Sequence, residues 1–298
     1  MYKKMLLVFN PRAGKAQIKN KLLEIIDIFT KAGYKVTAYP TQNYLDATTV
    51  VQENVSDYDM LVCCGGDGTL DEVVTGLMKS EKKVPIGYIP AGSTNDFANS
   101  LKLSKNMITA ANTIVQGKKF ACDIGTFNND YFVYIAAFGL FTDVSYQTKQ
   151  EMKNILGHMA YLLEGVKRLY SIKSYHIKIE CNDEIVEDDF MYGMISNSVS
   201  AGGFKNVTGK HVKLNDGLFE VVMIKRPRNP LELQEIISSL LNNDMEVKYI
   251  YSCKADKLRI TSENSIPWTL DGEYGGSQTE VNISNNKHAI EIIVQNKK

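Results

Sequence analysis

Leu61-Val62-Cys63-Cys64-Gly65-Gly66-Asp67-Gly68-Thr69-Leu70-Asp71-Glu72-Val73-Val74 decides the fold of this chain. An apolar run of strand type reaches three glycines within four positions, and Val73, Val74, Leu77 and Met78 then recur at helical spacing. Strand, glycine turn and helix in that order bring bare backbone N–H groups to a helix start, where an anion is attracted and a phosphate is the natural occupant. Two better-known phosphate motifs fail. A Walker A loop needs a glycine with four residues between it and Gly14-Lys15, and that position is Phe9; the dinucleotide fingerprint from Gly66 needs glycine at Asp71. Asp67 inside an anion site calls for a cation or hydrogen-bond donors beside it. The competing reading is a turn that only joins strand to helix.

Outward from this turn the first ~120 residues alternate strand and helix. Met5 to Phe9, Tyr34 to Thr41, Met60 to Cys64 and Pro85 to Pro90 read as strands. Helices are expected from Ile18 to Phe29 with a stop at Gly33, from Asp46 to Asn54, after Gly68, and around Ile108 to Val115. Such βα repeats imply an α/β domain with a parallel sheet covered on both faces. Asn10-Pro11-Arg12-Ala13-Gly14-Lys15 and Ala91-Gly92-Ser93-Thr94-Asn95-Asp96 leave two of these strands, where open α/β sheets gather ligands. Each alone also reads as a loop or helix cap; with 65–69 they form one rim.

After Phe120 the rhythm turns to strands: Phe120 to Phe127, Tyr131 to Ala137, Tyr175 to Cys181, Ile185 to Ser196, Phe219 to Lys225, Lys257 to Thr261, Trp268 to Leu270 and Ala289 to Gln295. Helices are expected at roughly 143–170 and 230–241. This half reads as a β-rich sandwich. The division is 1–120 and 121–288, with the tail 289–298 a candidate to pack back on the first part and a cleft expected between the halves.

The 298 residues carry 34 Lys+Arg against 34 Asp+Glu, so no basic field points to nucleic acid. With 44% hydrophobic residues and no long like-charge run, disorder is excluded. Met5 to Phe9 is too short for a signal peptide, and no run approaches the ~18 apolar residues of a membrane span. Five cysteines without CxxC or metal spacing read as reduced thiols, which implies a cytoplasmic protein. His158, His176, His211 and His288 show no paired ligand spacing, and Gly-x-Ser-x-Gly is absent, which weakens a hydrolase reading.

Asn10-Pro11-x-x-Gly14, Gly65-Gly66-Asp67-Gly68-Thr69 with Glu72-Val73, and Gly92-Ser93-Thr94-Asn95-Asp96-Phe97 in this order resemble the diacylglycerol kinase catalytic family. Asp123-Ile124-Gly125, Asn215-Asp216-Gly217 and Asp271-Gly272-Glu273-Tyr274-Gly275-Gly276 extend the resemblance over nearly the whole chain, toward the soluble lipid kinases of Gram-positive bacteria. The resemblance implies a doubly wound, NAD kinase/phosphofructokinase-like ATP-binding domain, a β-sandwich second domain, and transfer of the γ-phosphate of ATP to the hydroxyl of diacylglycerol, giving phosphatidic acid. It places nucleotide contacts at Asn10, Pro11, Arg12, Ala13, Gly14, Thr41, Gly66, Asp67, Gly68, Thr69, Leu70, Asp71, Glu72 and Ser93. Asp71 stands where relatives often have Asn, and Ser93 where they often have Thr.

Phosphoryl transfer requires a positioned phosphate, a cation over its developing charge, and a group that takes the hydroxyl proton. The resemblance assigns proton abstraction to Asp271-Gly272-Glu273, with Glu273 favoured slightly as base and Asp271 beside it; Asp-Gly is equally a hairpin signal. It also implies Mg²⁺ held by Asp216 and the carbonyls of Lys213 and Leu218, linked through water to acids such as Asp123. The segment by itself reads as a turn. The region carrying Lys149, Lys153, Lys167, Arg168, Lys173 and Lys178 beside Met152, Ile155, Leu156, Met159, Leu162, Leu163, Val166 and Leu169 is a candidate for reversible contact with anionic lipid at the inner membrane face, or else a helix packed on its own domain. A homodimer is a family-level expectation. The alternatives are a sphingoid or other lipid acceptor, NAD as acceptor, or a nucleotide-binding regulator without catalysis.

Overall fold

The computed structural model describes residues 2–139, 173–198, 200–201, 204–205, 212–242 and 248–296. The helix expected at 143–170, with its basic and apolar residues up to 172, and His158 and His211 lie outside the described residues. The chain divides into two compact units: Met1–Ile124 with Asn286–Lys298, and Gly125–Asn285.

In the first unit, apolar runs make β1 (Lys3–Phe9), β2 (Tyr34–Pro40), β3 (Met60–Gly65) and β4 (Ile86–Pro90), all paired in parallel in the order β4-β3-β1-β2. Met5 to Phe9 of β1 and every residue of β3 and β4 are buried, as a sheet covered on both faces demands. One face takes Met5, Leu7, Phe9, Val62, Cys64 and Ile89 into a core with α1 (Ile18–Lys31) and, later in the chain, the helix at Met107–Gln116. α1 buries Ile18, Ile25 and Phe29 on one stripe and stops at Gly33, whose φ of +86° no other residue type adopts as easily.

On another layer α2 (Asp46–Asn54) packs on α3 (Asp67–Lys79) so closely that a Cβ at Gly76 would lie 2.5 Å from the Thr48 carbonyl oxygen. After β4 come α4 (Asp96–Ser100) and α5 (Met107–Gln116); the Asn106 side chain accepts from the amides of Ile108 and Thr109 and so starts α5.

The remaining strands are β5 (Lys118–Phe127), β6 (Asp130–Phe132), β7 (Ile135–Gly139), β8 (Tyr175–Cys181), β9 (Glu184–Ser196), the short pair β10 (Ser200–Ala201) and β11 (Phe204–Lys205), β12 (Phe219–Lys225), β13 (Ile250–Ala255), β14 (Lys257–Leu270) and β15 (Glu273–Val294); α6 (Pro230–Asn242) lies between β12 and β13. In the second unit β8 pairs antiparallel with β9 and β14, and β7 pairs with the same two strands. The ladder β8-β9-β7-β14 therefore closes on itself, and β12 with β13 extends it from β9. Trp268, 0% exposed, fills the interior with Phe138 and Phe127 edge-on at centroid distances of 4.8 and 5.1 Å. The end of β15 returns to the first unit, where Ile292 pairs in parallel with Ile86, and Asp123 fixes the return by accepting from the His288 amide at 2.7 Å.

Three strand expectations change. Tyr131 to Ala137 is not one strand: β6 stops at Phe132, because the Val133, Tyr134 and Ile135 amides turn to the Asp271 carboxylate. Lys257 to Thr261 and Trp268 to Leu270 are one strand, β14, whose register shifts around Thr261/Ile266 and Pro267/Thr269 accommodate Pro267 within it. Ala289 to Gln295 is the end of β15, which begins at Glu273.

Gly76→Ala forces α2 and α3 apart. An overpacking cost of about 1–3 kcal/mol is expected in denaturant unfolding, and an unchanged midpoint would contradict the close packing.

Candidate functional site

At the carboxyl end of the parallel sheet the loops are knitted by backbone bonds before any side chain acts. Asn10 N donates to Cys64 O at 2.9 Å, Thr41 N to Phe9 O at 2.9 Å, and Ala91 N to Gly65 O at 2.8 Å. Glycines permit still closer approach. A Cβ at Gly14, whose φ is +54°, would lie 2.2 Å from the Ala91 oxygen, and one at Gly92 would lie 2.6 Å from the Gly66 Cα. The loops after β1, β3 and β4 are thus one backbone surface with no room for side chains between them.

Few side chains lock it. The Asn10 amide donates to Thr69 Oγ1 at 3.4 Å while its Oδ1 accepts from Arg12 N at 2.9 Å. Asn95, 3% exposed and left-handed at φ +55°, accepts from Gly92 N at 2.9 Å and donates to Gly92 O at 2.8 Å. Asn95 stands at the N-cap position of α4, and its amide is spent on Gly92 rather than on the helix, a bonding pattern that its tolerance of the left-handed region allows. Arg12, Lys15 and Ser93 remain exposed on the rim.

The hydrogen-bond ladder of α3 begins with Leu70 N donating to Gly66 O at 3.0 Å. The N–H groups of Gly68 and Thr69 lie ahead of that ladder, at the positive end of the helix, where an anion is stabilised. Leu70 itself is 1% exposed with its amide already in the ladder, which leaves it no polar group for a ligand except through its neighbours. Glu72 turns toward α2: its Oε2 accepts from Ala47 N at 3.1 Å and its carbonyl from Thr48 Oγ1 at 3.0 Å, so it serves the start of that helix. Beneath the turn, Tyr88 Oη donates to Gly65 O at 3.3 Å, and burial, then the Asp67 carboxylate, push its phenol well above the usual value. Burial also raises Cys63 well above its ordinary range and Cys64 to about 12, so these thiols are inert packing.

The two acids of the second unit differ sharply. Asp271 and Gly272, at φ +50° and +88°, form the two-residue turn between β14 and β15. The Asp271 carboxylate, in a side chain 4% exposed, accepts from Val133 N at 2.5 Å and from Tyr134 N and Ile135 N at 2.9 Å each. Its own amide donates to Ile135 O at 2.8 Å. Glu273 is exposed at the first position of β15.

Lys213, Asp216 and Leu218 lie in the turn before β12, where Leu218 N donates to Asp216 Oδ1 at 3.1 Å. Asp216 Oδ2 is 4.0 Å from Lys254 Nζ, which also reaches Glu220 Oε1 at 2.8 Å. Glu220 is 6% exposed, its Oε2 has no partner among the described residues, and burial holds its carboxyl above the usual range. Asp216 and Glu220 carry the carboxylate oxygens that hard cations such as Mg²⁺ prefer, and among the described residues the positive group that stands against both is the Lys254 ammonium. No cluster of three or more His, Cys, Asp or Glu arranged for a metal occurs among the described residues, so water would complete any coordination here.

Residues 4–127 match the family model of the diacylglycerol kinase catalytic domain, and residues 137–294 that of the YegS C-terminal NAD kinase beta sandwich-like domain. A diacylglycerol kinase of Staphylococcus carnosus is 34% identical over 296 residues, covering 98% of this chain and 95% of its own. One of Bacillus subtilis is 30% identical over 276 residues, covering 92% and 91%. The crystal structure of a Bacillus anthracis protein, described as a candidate diacylglycerol kinase, superposes with a TM-score of 0.82 at 26% identity, over 99% of this chain and 98% of its own.

Asp271→Asn presents an amide nitrogen to a backbone N–H and removes charge-assisted bonds, so a loss of about 2–4 kcal/mol in unfolding free energy is expected. Glu273→Gln, at an exposed position, stays within about 0.5 kcal/mol. Equal effects in urea titrations of the two variants would refute the structural assignment of Asp271.

Proposed function

The chain belongs to the diacylglycerol kinase family, and from that premise we propose that it transfers the γ-phosphate of ATP to the free hydroxyl of diacylglycerol, giving phosphatidic acid. Lipid kinase activity with an alcohol acceptor accords with both family matches and with the names of its relatives. For the first unit the reading is a doubly wound sheet of NAD kinase and phosphofructokinase type. The observation that carries the nucleotide site is the bare backbone surface of Gly14, Gly66 and Gly92 beside the start of α3.

Phosphate oxygens accept from the Gly68 and Thr69 amides, with Arg12 and Lys15 on the same rim as mobile positive charge and the Ser93 hydroxyl as a further donor. Asn10 and Thr41 act mainly by fixing the loops after β1 and β2. Preorganisation is the catalytic device: these donors need no rearrangement when charge develops on the transferred group. Glu273 takes the proton from the attacking hydroxyl. Its exposure supports that role, whereas the amides around Asp271 support a positioning role for it at the turn that carries Glu273. Mg²⁺, when bound, supplies positive charge; Asp216 with the carbonyls of Lys213 and Leu218 is the set proposed to hold it.

No helix among the described residues is long and apolar enough to cross a membrane. An ATP-using enzyme with a lipid acceptor is proposed to work in the cytoplasm with reversible contact at the inner membrane face, and as a homodimer.

Incubation with labelled ATP and a panel of diacylglycerol, a sphingoid base, other lipids and NAD tests the acceptor directly, and labelled phosphatidic acid is the expected product. Glu273→Gln lowers turnover by about 10²–10⁴ with ATP affinity nearly unchanged. Gly68→Val instead abolishes nucleotide binding in calorimetry. Intact binding in that variant would remove the helix start from the site.

A further inference from the structure

Cys181 and Cys253 are 72 positions apart, and the phosphoryl-transfer chemistry uses neither. They lie on β8 and β13, strands with no shared ladder: β8 pairs β9 and β14, while β13 pairs β12. Their Sγ atoms nonetheless stand 3.0 Å apart, with Cys181 in the core of the second unit and Cys253 packed against it.

Accessibility separates the five thiols. Cys63, Cys64 and Cys122 are 0% exposed and Cys181 is 3% exposed, whereas Cys253 is partly open to solvent. Cys181 also lines an open cavity of about 580 Å³, walled by Glu184, Lys257 and Arg259. One thiol that small oxidants reach therefore touches a second one ready to resolve it.

We infer that Cys253 and Cys181 are an oxidative modification site, at which a peroxide converts the pair into an intrachain disulfide clipping β8 to β13. The Cys253 sulfur attacks one oxygen of hydrogen peroxide; an S–O bond forms, the O–O bond breaks, and the departing hydroxide takes the thiol proton to leave as water. The Cys181 sulfur then attacks the sulfenic sulfur. The S–S bond forms, the S–O bond breaks, and a second water leaves with the Cys181 proton. Two thiols lose two electrons, and one peroxide is reduced to two waters.

The reaction is slow. Burial and the adjoining Cys181 raise the Cys253 thiol, partly offset by the Tyr251 hydroxyl bonded to it, and the thiolate is the reacting form. The site answers a sustained peroxide load and not a trace.

The full-length protein treated with hydrogen peroxide should lose two of its five titratable thiols. Non-reducing digestion should yield the peptide containing Cys181 joined to the one containing Cys253, reversibly with dithiothreitol. Closing a long loop should also raise Tm by about 5–10 °C. Cys253→Ser should abolish the link, and Cys181→Ser should leave Cys253 as a dimedone-reactive sulfenic acid. The inference is overturned if the wild-type thiols all survive, if the cross-linked peptides carry other cysteines, or if the link forms between chains.

Discussion

The approach of three backbone segments to one another, at distances that exclude a Cβ, is the constraint on which the first unit depends. Gly14 against Ala91 and Gly66 against Gly92 are contacts of main chain with main chain. Parallel strands β1, β3 and β4 end at one edge, so their loops must share a small space, and glycine is the residue that lets them share it without spreading the strands. The same bareness leaves N–H groups uncovered at the start of α3. Loop packing and the exposure of those amides therefore rest on one sequence feature, and a side chain there disturbs both.

The second unit solves a different problem with charge. Its closed ladder needs β14 and β15 to turn in two residues and β6 to stop before β7, and the Asp271 carboxylate does both. It sits in a left-handed turn position and gathers three consecutive amides that would otherwise lack ladder partners. A buried acceptor with that many donors stabilises because no group is left unsatisfied. Glu273, two residues on, stands outside that set of amides and is exposed.

Local signals in the sequence were sufficient wherever the cause of a structure is local. Asn182-Asp183, between the two strands read at Tyr175 to Cys181 and Ile185 to Ser196, is a two-residue turn with both φ positive, at +50° and +65°. The helix Asp46–Asn54 and the strands Tyr175–Cys181 and Phe219–Lys225 follow from spacing and pattern alone. What failed was non-local. The break after Phe132 is imposed by a carboxylate 138 positions away, and the two sulfurs meet through the closure of a ladder no spacing rule encodes. At the candidate site the glycines and Ser93 were legible as a rim, whereas the turning of Glu72 toward α2 was not, because it depends on where another helix starts.

The three Asp-Gly pairs of this chain show why a dipeptide cannot carry a role. Asp67-Gly68 opens α3, its glycine outside the left-handed region, because an apolar helical stripe follows. Asp216-Gly217 turns into β12 with Gly217 at φ +87°, and its carboxylate caps Leu218 N while facing the Lys254 ammonium. Asp271-Gly272 has both residues left-handed and its carboxylate buried. The residues are the same in each pair, and the difference lies in what surrounds the aspartate: a helix start, a half-buried turn beside a cation, or a cage of amides. Each setting constrains what the carboxylate can do, since lone pairs engaged by backbone donors are withdrawn from other partners and those facing solvent are not.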